Sequence, residues 1–442
     1  MSVELIVPEW IVPVEPAGTV LTGHALAFDG PAIVAIEPCG QAFARWPDAR
    51  RHERPGHLLI PGLVNLHTHA AMSLLRGTGD DLPLERWLRE RIWPLEQALL
   101  SAEFVFDGAV LAIHEMLRGG ITCFNDMYFF PEQTARAARA LGMRANVGIV
   151  VVEFPTVYGS GAADYLRKGL ALRDALRDDP LVRCTLAPHA PYTVGDDSFR
   201  RVAQLSAELG MPISCHLHET RFEVEQSLRE QRRRPLARLA ELGLATPELI
   251  AVHAVHLDAQ DLAMLAASGA SVAHCPHSNL KLASGIAPIT ELLARGVNVG
   301  IGTDGSASNN RLDLIAEMRT AALLAKVQAG DAAAWPAGQV LQAATLGGAK
   351  ALGLGDRIGS LMPGKSADLV AIDLSGADVS PVFDPVSHLV YSAGRDLVAD
   401  VWVDGRHVVH KRQLLGQSGA LLVSEVVARS RVWQNRISEI LS

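Results

Sequence analysis

The sequence lacks the cysteine pattern of a disulfide-stabilised protein or of a thiolate zinc protein. Its 442 residues include only five cysteines, which lie far apart and form no CxxC pair. This spacing argues against a disulfide framework and against a zinc site built from thiolates. Several of the cysteines lie in apolar, strand-like runs, so we expect buried free thiols at Cys39, Cys123, Cys184, Cys215 and Cys275.

The chain also lacks an excess of positive charge and any long apolar run. Its formal net charge is −8 and its isoelectric point is near 6.1, which gives no reason to expect nucleic acid as a partner. No apolar run is long enough to span a bilayer, and residues 1–8 include no basic segment of the kind that begins a signal peptide. We therefore expect a cytoplasmic protein without a membrane partner.

What the sequence does contain is enough apolar material for a large core. Hydrophobic residues make up 49% of the chain and charged residues 20%, as in a globular protein. Between about residues 58 and 305, short apolar runs alternate with longer amphipathic stretches, the pattern of βαβ units. Eight runs predict an α/β fold, a closed (β/α)8 TIM barrel, with strands at 59–66, 120–125, 144–152, 182–188, 212–217, 249–253, 270–275 and 297–303.

The two ends of the chain have a different pattern. Residues 1–57 and 358–412 contain short alternating segments broken by proline and glycine, which indicate antiparallel strands with tight turns. Neither end is long enough to form a core by itself. We therefore predict one small β-sandwich domain from residues 1–57 and 358–442, a barrel over residues 58–357, and a closing helix at about 418–441.

The most informative local feature is a pair of histidines, His67 and His69, directly after an apolar run. Side chains two apart on a strand point to the same face, so these residues would present two imidazoles side by side. A buried strand with paired imidazoles at its C-terminal end suits a catalytic metal site. The alternative is two hydrogen-bonded polar residues at the end of a strand.

Polar residues also follow the other predicted strands, at the end where such a barrel has its active site. They include Asp126, His189, His216, His218, Glu219, His253, His256, His277 and Asp304. Imidazoles with one carboxylate suit Zn²⁺, Fe²⁺ or Mn²⁺ better than Ca²⁺ or Mg²⁺. The alternation of His216 and His218 predicts that they share a face, although a packing role is favoured for His218. His253 is either a ligand or the residue that holds a metal-bound water.

Further motifs extend along the whole chain in order, and together they resemble the amidohydrolase superfamily. Within it, the chain is most similar to the 5′-methylthioadenosine/S-adenosylhomocysteine deaminase branch, close to the triazine hydrolases. The motifs are Pro61-Gly62-Leu63-Val64-Asn65-Leu66-His67-Thr68-His69, Leu74-Leu75-Arg76-Gly77, Ile92-Trp93-Pro94-Leu95-Glu96, Ala187-Pro188-His189-Ala190-Pro191-Tyr192, His216-Leu217-His218-Glu219-Thr220, Gly302-Thr303-Asp304-Gly305 and Pro363-Gly364-Lys365-Ser366-Ala367-Asp368.

This resemblance implies a role for each matching residue. The implied metal ligands are His67, His69, His216 and Asp304. Glu219 becomes the proton shuttle rather than a helix-capping glutamate, His253 helps to deprotonate water, and Asp304 takes part in proton transfer. Strand four ends without the lysine that bridges two metals in binuclear relatives, so a single ion is expected, most simply Zn²⁺, with Fe²⁺ or Mn²⁺ as alternatives.

The resemblance also implies the substrate contacts. It places Glu96 on a ribose diol, whose two hydroxyls can both donate to one carboxylate, and His189 beside the substrate. Trp87 either walls the pocket or is an ordinary packing residue. The expected reaction is therefore hydrolytic deamination of an adenine nucleoside, with a small-molecule partner only; the broad apolar helix faces are compatible with a homodimer.

One departure from the family pattern concerns the substrate. Members that accept S-adenosylhomocysteine resemble one another in having an arginine near strand three, whereas here residues 146–153 are apolar and end in Glu153. Arg144 lies too early on the strand to replace it. This favours 5′-methylthioadenosine, whose methylthio group needs only an apolar pocket, over S-adenosylhomocysteine. The alternatives are a relative acting on guanine, cytosine or an s-triazine, and a non-catalytic binding protein on the same barrel.

Overall fold

The computed structural model describes residues 3–416 and 421–441. Its centre is a sheet of eight strands in sequential order, all parallel, with helices between them. We number these barrel strands one to eight: Leu63–Thr68, Ile121–Asp126, Arg144–Val151, Val182–Pro188, Ile213–Leu217, Leu249–His253, Ser271–His274 and Asn298–Ile301. The helices after strand one are Leu84–Trp87, Trp93–Leu99, Ala102–Arg118, Pro131–Leu141, Ala162–Ala175, Asp196–Leu209, Arg221–Gln231, Pro235–Glu241, Ala259–Ser268, Pro276–Lys281, Ile289–Ala294, Ser306–Asn309, Leu314–Ala329, Ala337–Gln342 and Gly348–Ala351.

Strand eight closes the barrel against strand one through side chains and one backbone bond. The N–H of Asp304 donates to the carbonyl of His67 at 3.0 Å. The Asn65 side chain accepts from the N–H of Thr303 at 2.9 Å and donates to its hydroxyl at 2.8 Å. A Cβ at Gly302 would lie 2.9 Å from the backbone nitrogen of His67, so this approach requires glycine. The seam therefore fixes Asp304 beside the first histidine pair.

The predicted barrel is confirmed, with one correction at its first strand. Strands two to eight lie within two residues of the predicted bounds. The predicted strand 59–66, however, covers parts of two strands, because Arg50–Pro61 belongs to the small domain and barrel strand one begins at Leu63. Both strands are apolar and only Gly62 separates them, so hydrophobicity alone does not reveal the break. The predicted domain boundary at residue 57 falls inside Arg50–Pro61.

The two chain ends form one mixed sheet of nine strands. Both ends therefore contribute to one small domain, as predicted. Pairing is antiparallel except between Glu4–Ile11 and Arg50–Pro61, which are parallel because the chain crosses over between them. A buried core that includes Phe28, Leu59 and Trp402 lies on one side of this sheet. Its other strands are Leu21–Thr22, His24–Asp29, Ala32–Pro38, Leu369–Asp373, Val398–Val403, Arg406–His410 and Gln413–Leu414, and its helices are Cys39–Arg45 and Pro385–Tyr391.

The predicted closing helix is present as Val423–Leu441, and residues 418–420 of the prediction lie outside the described part of the chain. It packs on Ala102–Arg118: the Trp433 indole N–H donates to Asp107 at 3.0 Å, and its ring meets Phe104 edge to face. The five cysteines are free thiols, and four of them are buried. Over the described residues, no helix has the length and apolar character needed to cross a membrane.

A buried ion cluster joins the bottom of the barrel to the small domain. Arg144, at the start of barrel strand three, donates to both oxygens of Asp368 at 3.0 and 3.1 Å and to Asp404 at 2.9 Å. The side chains of Arg144 and Asp368 are 2% and 1% exposed. This pairing occupies Arg144 at the end of the barrel opposite to the strand ends that carry His67 and His216.

Replacing Arg144 is expected to destabilise the protein strongly. Arg144→Met leaves the buried Asp368 carboxylate without its cation, which costs about 3–5 kcal/mol of unfolding free energy. The matched control is Arg139→Met, which removes an arginine that is 62% exposed and paired with Asp179; its expected effect is below about 1 kcal/mol. Chemical denaturation measures both, and equal stabilities of the two variants would contradict the role of the cluster.

Candidate metal and active site

The C-terminal ends of the barrel strands bring the predicted metal-binding side chains to one point. Strand one carries His67 and is followed by His69, strand five carries His216, strand six ends at His253, and Asp304 follows strand eight. Four of these residues place donor atoms within 4.8 Å of one another, namely His67, His216, His253 and Asp304. His69 adjoins the group, with its Nε2 3.1 Å from Asp304 Oδ1. The structure therefore assembles every predicted ligand in one cluster.

Hydrogen bonds at the far side of two of the rings, those of His216 and His69, orient these imidazoles towards the centre. His216 Nδ1 donates to the His189 carbonyl at 2.7 Å, and His69 Nδ1 donates to the Met127 carbonyl at 2.5 Å. Because a carbonyl can only accept, Nδ1 of His216 and Nδ1 of His69 each carry a proton, and Nε2 is the ring nitrogen that faces the cluster. The Nε2 atoms of His67 and His216 face each other at 3.2 Å. Such a convergence of imidazole nitrogens is suited to a cation.

Asp304 is held with one oxygen engaged and the other directed at the histidines. Its Oδ2 accepts from the hydroxyls of Ser278 and Ser308, each at 2.6 Å. Its Oδ1 is buried, accepts no hydrogen bond, and lies 3.1 Å from His69 Nε2 and 3.4 Å from His67 Nε2. A buried carboxylate oxygen without a donor is costly, and a cation at this point removes that cost.

The pKa values of these groups follow from their burial and from the charges next to them. Burial lowers the pKa of His67 to about 4 and that of His216 well below its ordinary value. Burial also acts to lower the pKa of His69, but the close approach of the Asp304 carboxylate outweighs it and raises that pKa to about 9. Burial acts to raise the pKa of Asp304, yet the two histidines hold it well below the usual range. The cluster thus favours positive charge between Asp304 and His69.

The residues present therefore fit a transition-metal ion. Imidazole nitrogens and one carboxylate oxygen are the donor set of catalytic zinc sites. The unpartnered Asp304 Oδ1 and the histidine Nε2 atoms point to the same place. His67, His69, His216 and Asp304 are the residues that would hold the ion, with His253 at its edge.

Glu219 lies beside this cluster, where strand five has ended. Its side chain is 7% exposed, and Oε2 is 3.8 Å from His253 Nε2. Oε1 accepts from the Ser284 hydroxyl at 3.3 Å. Burial raises the pKa of Glu219, so this carboxyl holds a proton more readily than an exposed glutamate does. Glu223 accepts the backbone N–H of Glu219 at 2.9 Å and fixes its position.

His253 is oriented from outside the cluster. Its Nδ1 donates to Asn279 Oδ1 at 2.8 Å, which leaves Nε2 facing Glu219 and the other histidines. His253 and Asp304 both have left-handed backbones, with φ of 72° and 57°. This conformation is uncommon outside glycine and is typical of functional sites. At His253 it coincides with the end of strand six, and at Asp304 it lies three residues beyond the end of strand eight.

The predicted substrate contacts lie around the same mouth. His189 Nδ1 donates to the Thr193 hydroxyl at 2.9 Å, and its ring lies 4.9 Å from that of His216. Burial, followed by the charges of His69 and His67, lowers the pKa of His189 to about 3, so this imidazole is neutral. Its Nε2 is therefore available as an acceptor.

Glu96 and Trp87 lie on the segment after strand one. Glu96 accepts from the Tyr128 hydroxyl at 2.7 Å. Trp87 is 5% exposed and belongs to an apolar cluster with Met72, Leu75 and Leu95. This burial favours the packing interpretation of Trp87, and its contact with substrate stays a prediction.

The prediction that His216 and His218 share a face is wrong. Strand five ends at Leu217, and His218 has a left-handed backbone with φ of 55°. Its Nδ1 donates to the His256 carbonyl, and its Nε2 accepts the N–H of Leu236 at 3.1 Å. The ring therefore supports the neighbouring loops, as the packing interpretation of His218 predicts.

Several residues that shape the site were not identified from the sequence. Ser278, Ser308, Asn279, Ser284 and Glu223 each hold a side chain or backbone group of the cluster. The sequence contains a partial indication for three of them, because Ser278 and Asn279 follow strand seven and Ser308 follows strand eight. Ser284 has no such signal, since its contact with Glu219 joins residues 65 positions apart.

A second group of possible metal ligands lies in the small domain, and its carboxylate is paired with an arginine. Asp400 Oδ1 accepts from His407 Nε2 at 2.9 Å and from His410 Nδ1 at 2.6 Å. Arg54 donates to both oxygens of the same carboxylate at 2.7 and 3.1 Å. The cation of Arg54 already balances Asp400, so this group is a hydrogen-bonded network that stabilises the small sheet.

Comparison with known proteins places this geometry in a class. Residues 58–408 match the amidohydrolase family. The chain belongs to that family and is a hydrolase of carbon–nitrogen bonds.

Individual relatives cover almost the whole chain. A 5-methylthioadenosine/S-adenosylhomocysteine deaminase of Teredinibacter turnerae is 47% identical over 428 residues, 97% of this chain and 96% of the relative. The deaminase of the same name from Saccharophagus degradans is 44% identical over 97% of this chain and 95% of its own length. The crystal structure of an adenosine deaminase from Xanthomonas campestris with bound zinc is 49% identical, with a TM-score of 0.96 over 98% of each chain.

A more distant structure shares the fold. The zinc complex of an atrazine chlorohydrolase from Arthrobacter aurescens is 24% identical, with a TM-score of 0.89 over 97% of this chain and 99% of that chain.

Proposed function

We propose that this protein hydrolytically removes the 6-amino group of an adenine nucleoside, with 5′-methylthioadenosine as its preferred substrate. The observation that carries the proposal is the buried Glu219 beside a His67–His69–His216–Asp304 donor set. A carboxyl with a raised pKa at this place is suited to protonating a ring nitrogen. The names of the relatives support the same class of substrate.

The residues have separate tasks in the proposed reaction. His67, His69, His216 and Asp304 would hold a single zinc ion, which would supply the Lewis acidity that makes water nucleophilic near neutral pH. Glu219 donates its proton to the ring nitrogen next to the carbon that is attacked. The attacking water gives up two protons to Asp304 and Glu219, with His253, oriented by Asn279, assisting the first transfer. One of these protons passes to the leaving amino group, which departs as ammonia, and the other restores the proton that Glu219 gave to the ring nitrogen.

The nucleoside is oriented by groups around the barrel mouth. Glu96 accepts hydrogen bonds from the two hydroxyls of the ribose diol. His189, neutral because its pKa is lowered to about 3, offers Nε2 to the substrate. Trp87 supports this wall from within its apolar cluster.

The surroundings of strand three support 5′-methylthioadenosine over S-adenosylhomocysteine. Val150, Val151 and Val152 are buried at the end of the strand, and Glu153 follows with its carboxylate accepting the N–H of Gly195 at 2.8 Å. Arg144 is engaged by Asp368 at the other end. An apolar, acid-ended wall suits a methylthio group and disfavours a second carboxylate.

We therefore expect kcat/KM for 5′-methylthioadenosine to exceed that for S-adenosylhomocysteine by about a hundredfold. An amino-acid carboxylate without a bidentate partner loses a few kcal/mol of transition-state binding. Competition kinetics with both nucleosides measure the ratio. Equal use of S-adenosylhomocysteine would contradict it and would point to Arg167, which is 70% exposed and paired with Asp164, as the missing cation.

One experiment tests the proposal as a whole. Ammonia release is measured with a panel of adenine nucleosides, guanine, cytosine and an s-triazine, and metal content is determined on the same preparation. The expected result is deamination of adenine nucleosides with one zinc ion per chain. A guanine, cytosine or triazine preference would assign the other substrate class, and no turnover at full zinc occupancy would support a binding protein.

A further inference from the structure

The loop after strand two connects the metal cluster to the proposed ribose contact. Two successive residues of the loop take part: the carbonyl of Met127 accepts from His69 Nδ1 at 2.5 Å, and the hydroxyl of Tyr128 donates to Glu96 Oε1 at 2.7 Å. His69 follows strand one, whereas Glu96 lies on the helix Trp93–Leu99. The loop therefore sets the position of the proposed ribose carboxylate relative to the metal ligands.

The hydroxyl of Tyr128 has the Glu96 carboxylate as its hydrogen-bond partner. The residue is 5% exposed, and its ring packs in the apolar cluster that contains Leu95 and Leu99 of the same helix. Among the described residues, Tyr128 is the only side chain that hydrogen-bonds to Glu96. A phenol in an apolar cluster with its hydroxyl on a partly buried carboxylate fixes both the rotamer and the charge of that carboxylate.

The charge of Glu96 needs this support. Burial raises the pKa of Glu96 to about 7, while the hydrogen bond from Tyr128 and then the charge of His69 act in the opposite direction. Asp126, two residues before Tyr128, contributes negative charge near the phenol. Without the phenol, the carboxyl is protonated over more of the neutral range. A protonated carboxyl accepts hydrogen bonds from a diol less well than a carboxylate does.

We propose that Tyr128 is a positioning residue for substrate recognition, which holds Glu96 as the acceptor of the ribose diol. This inference rests on the proposed function, because it takes Glu96 as the diol contact. It goes further in naming the residue that makes Glu96 selective for a ribonucleoside over one without the 2′ and 3′ hydroxyls. Tyr128 does not touch the reacting atoms, so its effect is on KM and not on the chemical step.

The test compares 5′-methylthioadenosine with its 2′,3′-dideoxy analogue. Tyr128→Phe is expected to raise KM for the ribonucleoside on the order of tenfold at pH 7, the effect of one charged hydrogen bond, with kcat changed less than about threefold. KM for the dideoxy analogue is expected to stay unchanged. The matched control is Tyr158→Phe, which removes a phenol that donates to Glu132 and not to Glu96. This control is expected to keep the wild-type ratio of the two KM values.

The pH dependence of the preference for the ribonucleoside separates this role from a merely structural one, which would leave that dependence unchanged. A carboxyl loses its proton as the pH rises through its pKa, so the preference for the ribonucleoside should increase with pH in the wild-type protein. In Tyr128→Phe the midpoint should shift to higher pH. The wild-type profile requires no variant, and a preference independent of pH between 5 and 9 would overturn the inference even if Tyr128→Phe did not fold.

Glu96→Gln separates this inference from the proposed function. If Glu96→Gln still prefers the ribonucleoside as the wild type does, then Glu96 is not the diol contact and that part of the proposed function fails. If Glu96→Gln loses the preference but Tyr128→Phe keeps it, only the role of Tyr128 is overturned. Support requires that both variants lose the preference and that the double variant loses no more than Glu96→Gln alone.

Discussion

His67→Ala and His216→Ala are each expected to lose the bound metal and the activity together. Each substitution removes an imidazole whose Nε2 points to the shared centre, where the two atoms are 3.2 Å apart. Each variant keeps only three of the four proposed ligands, so its affinity for the ion is expected to fall strongly. Without the metal, water keeps its ordinary pKa of 15.7 instead of about 7, so deamination should fall by at least about a thousandfold.

Elemental analysis and ammonia release on the same preparations measure both effects. The control is His410→Ala, in the network of Asp400 and Arg54, which is expected to retain one metal ion per chain and full activity. Two ions per wild-type chain would contradict the single-site proposal. Full activity of either cluster variant after exhaustive chelation would contradict metal-dependent catalysis.

Glu219→Gln is expected to lower turnover by about 10²–10⁴-fold with the metal still bound, because the substitution keeps the size of the side chain and removes its acid. Glu219 is buried, its pKa is raised by that burial, and it has Ser284 and His253 as neighbours. The amide can still accept from Ser284, so the fold around it should be preserved.

The matched control is Glu225→Gln, an exposed glutamate on the helix that begins just after Glu219. It is expected to leave turnover unchanged. Single-turnover kinetics and metal content distinguish proton transfer from metal loss. Near-native turnover of Glu219→Gln with bound metal would show that another group carries the proton.

Local sequence patterns were sufficient for the barrel and for most of the site because both depend on short-range periodicity. Alternation put His67 and His69 on one side of the chain, and their rings lie 4.8 Å apart in the structure. The same rule failed for His218, because it assumes that the strand continues. Strand five ends at Leu217, and His218 itself has a left-handed backbone, so its side chain leaves the face that His216 uses.

Contacts between distant segments could not be read in the same way. The hydroxyl of Ser278 reaches Asp304 across 26 residues, and that of Ser284 reaches Glu219 across 65 residues. No local periodicity encodes such pairs, since they arise only when strands five, seven and eight end at the same mouth. The hydrogen bond from Tyr128 to Glu96 is of the same kind.

The sequence by itself determined the fold class, the strands that carry chemistry and the residue types available for a metal, because these follow from hydrophobic periodicity and from the side chains at strand ends. The sequence did not reveal the break at Gly62 between two strands, because the residues on both sides of Gly62 are apolar. Only the tertiary structure decided which nitrogen of each imidazole faces the centre, which oxygen of Asp304 is free, and which phenol supports Glu96. Those outcomes depend on hydrogen-bond partners that the closed barrel brings from distant parts of the chain.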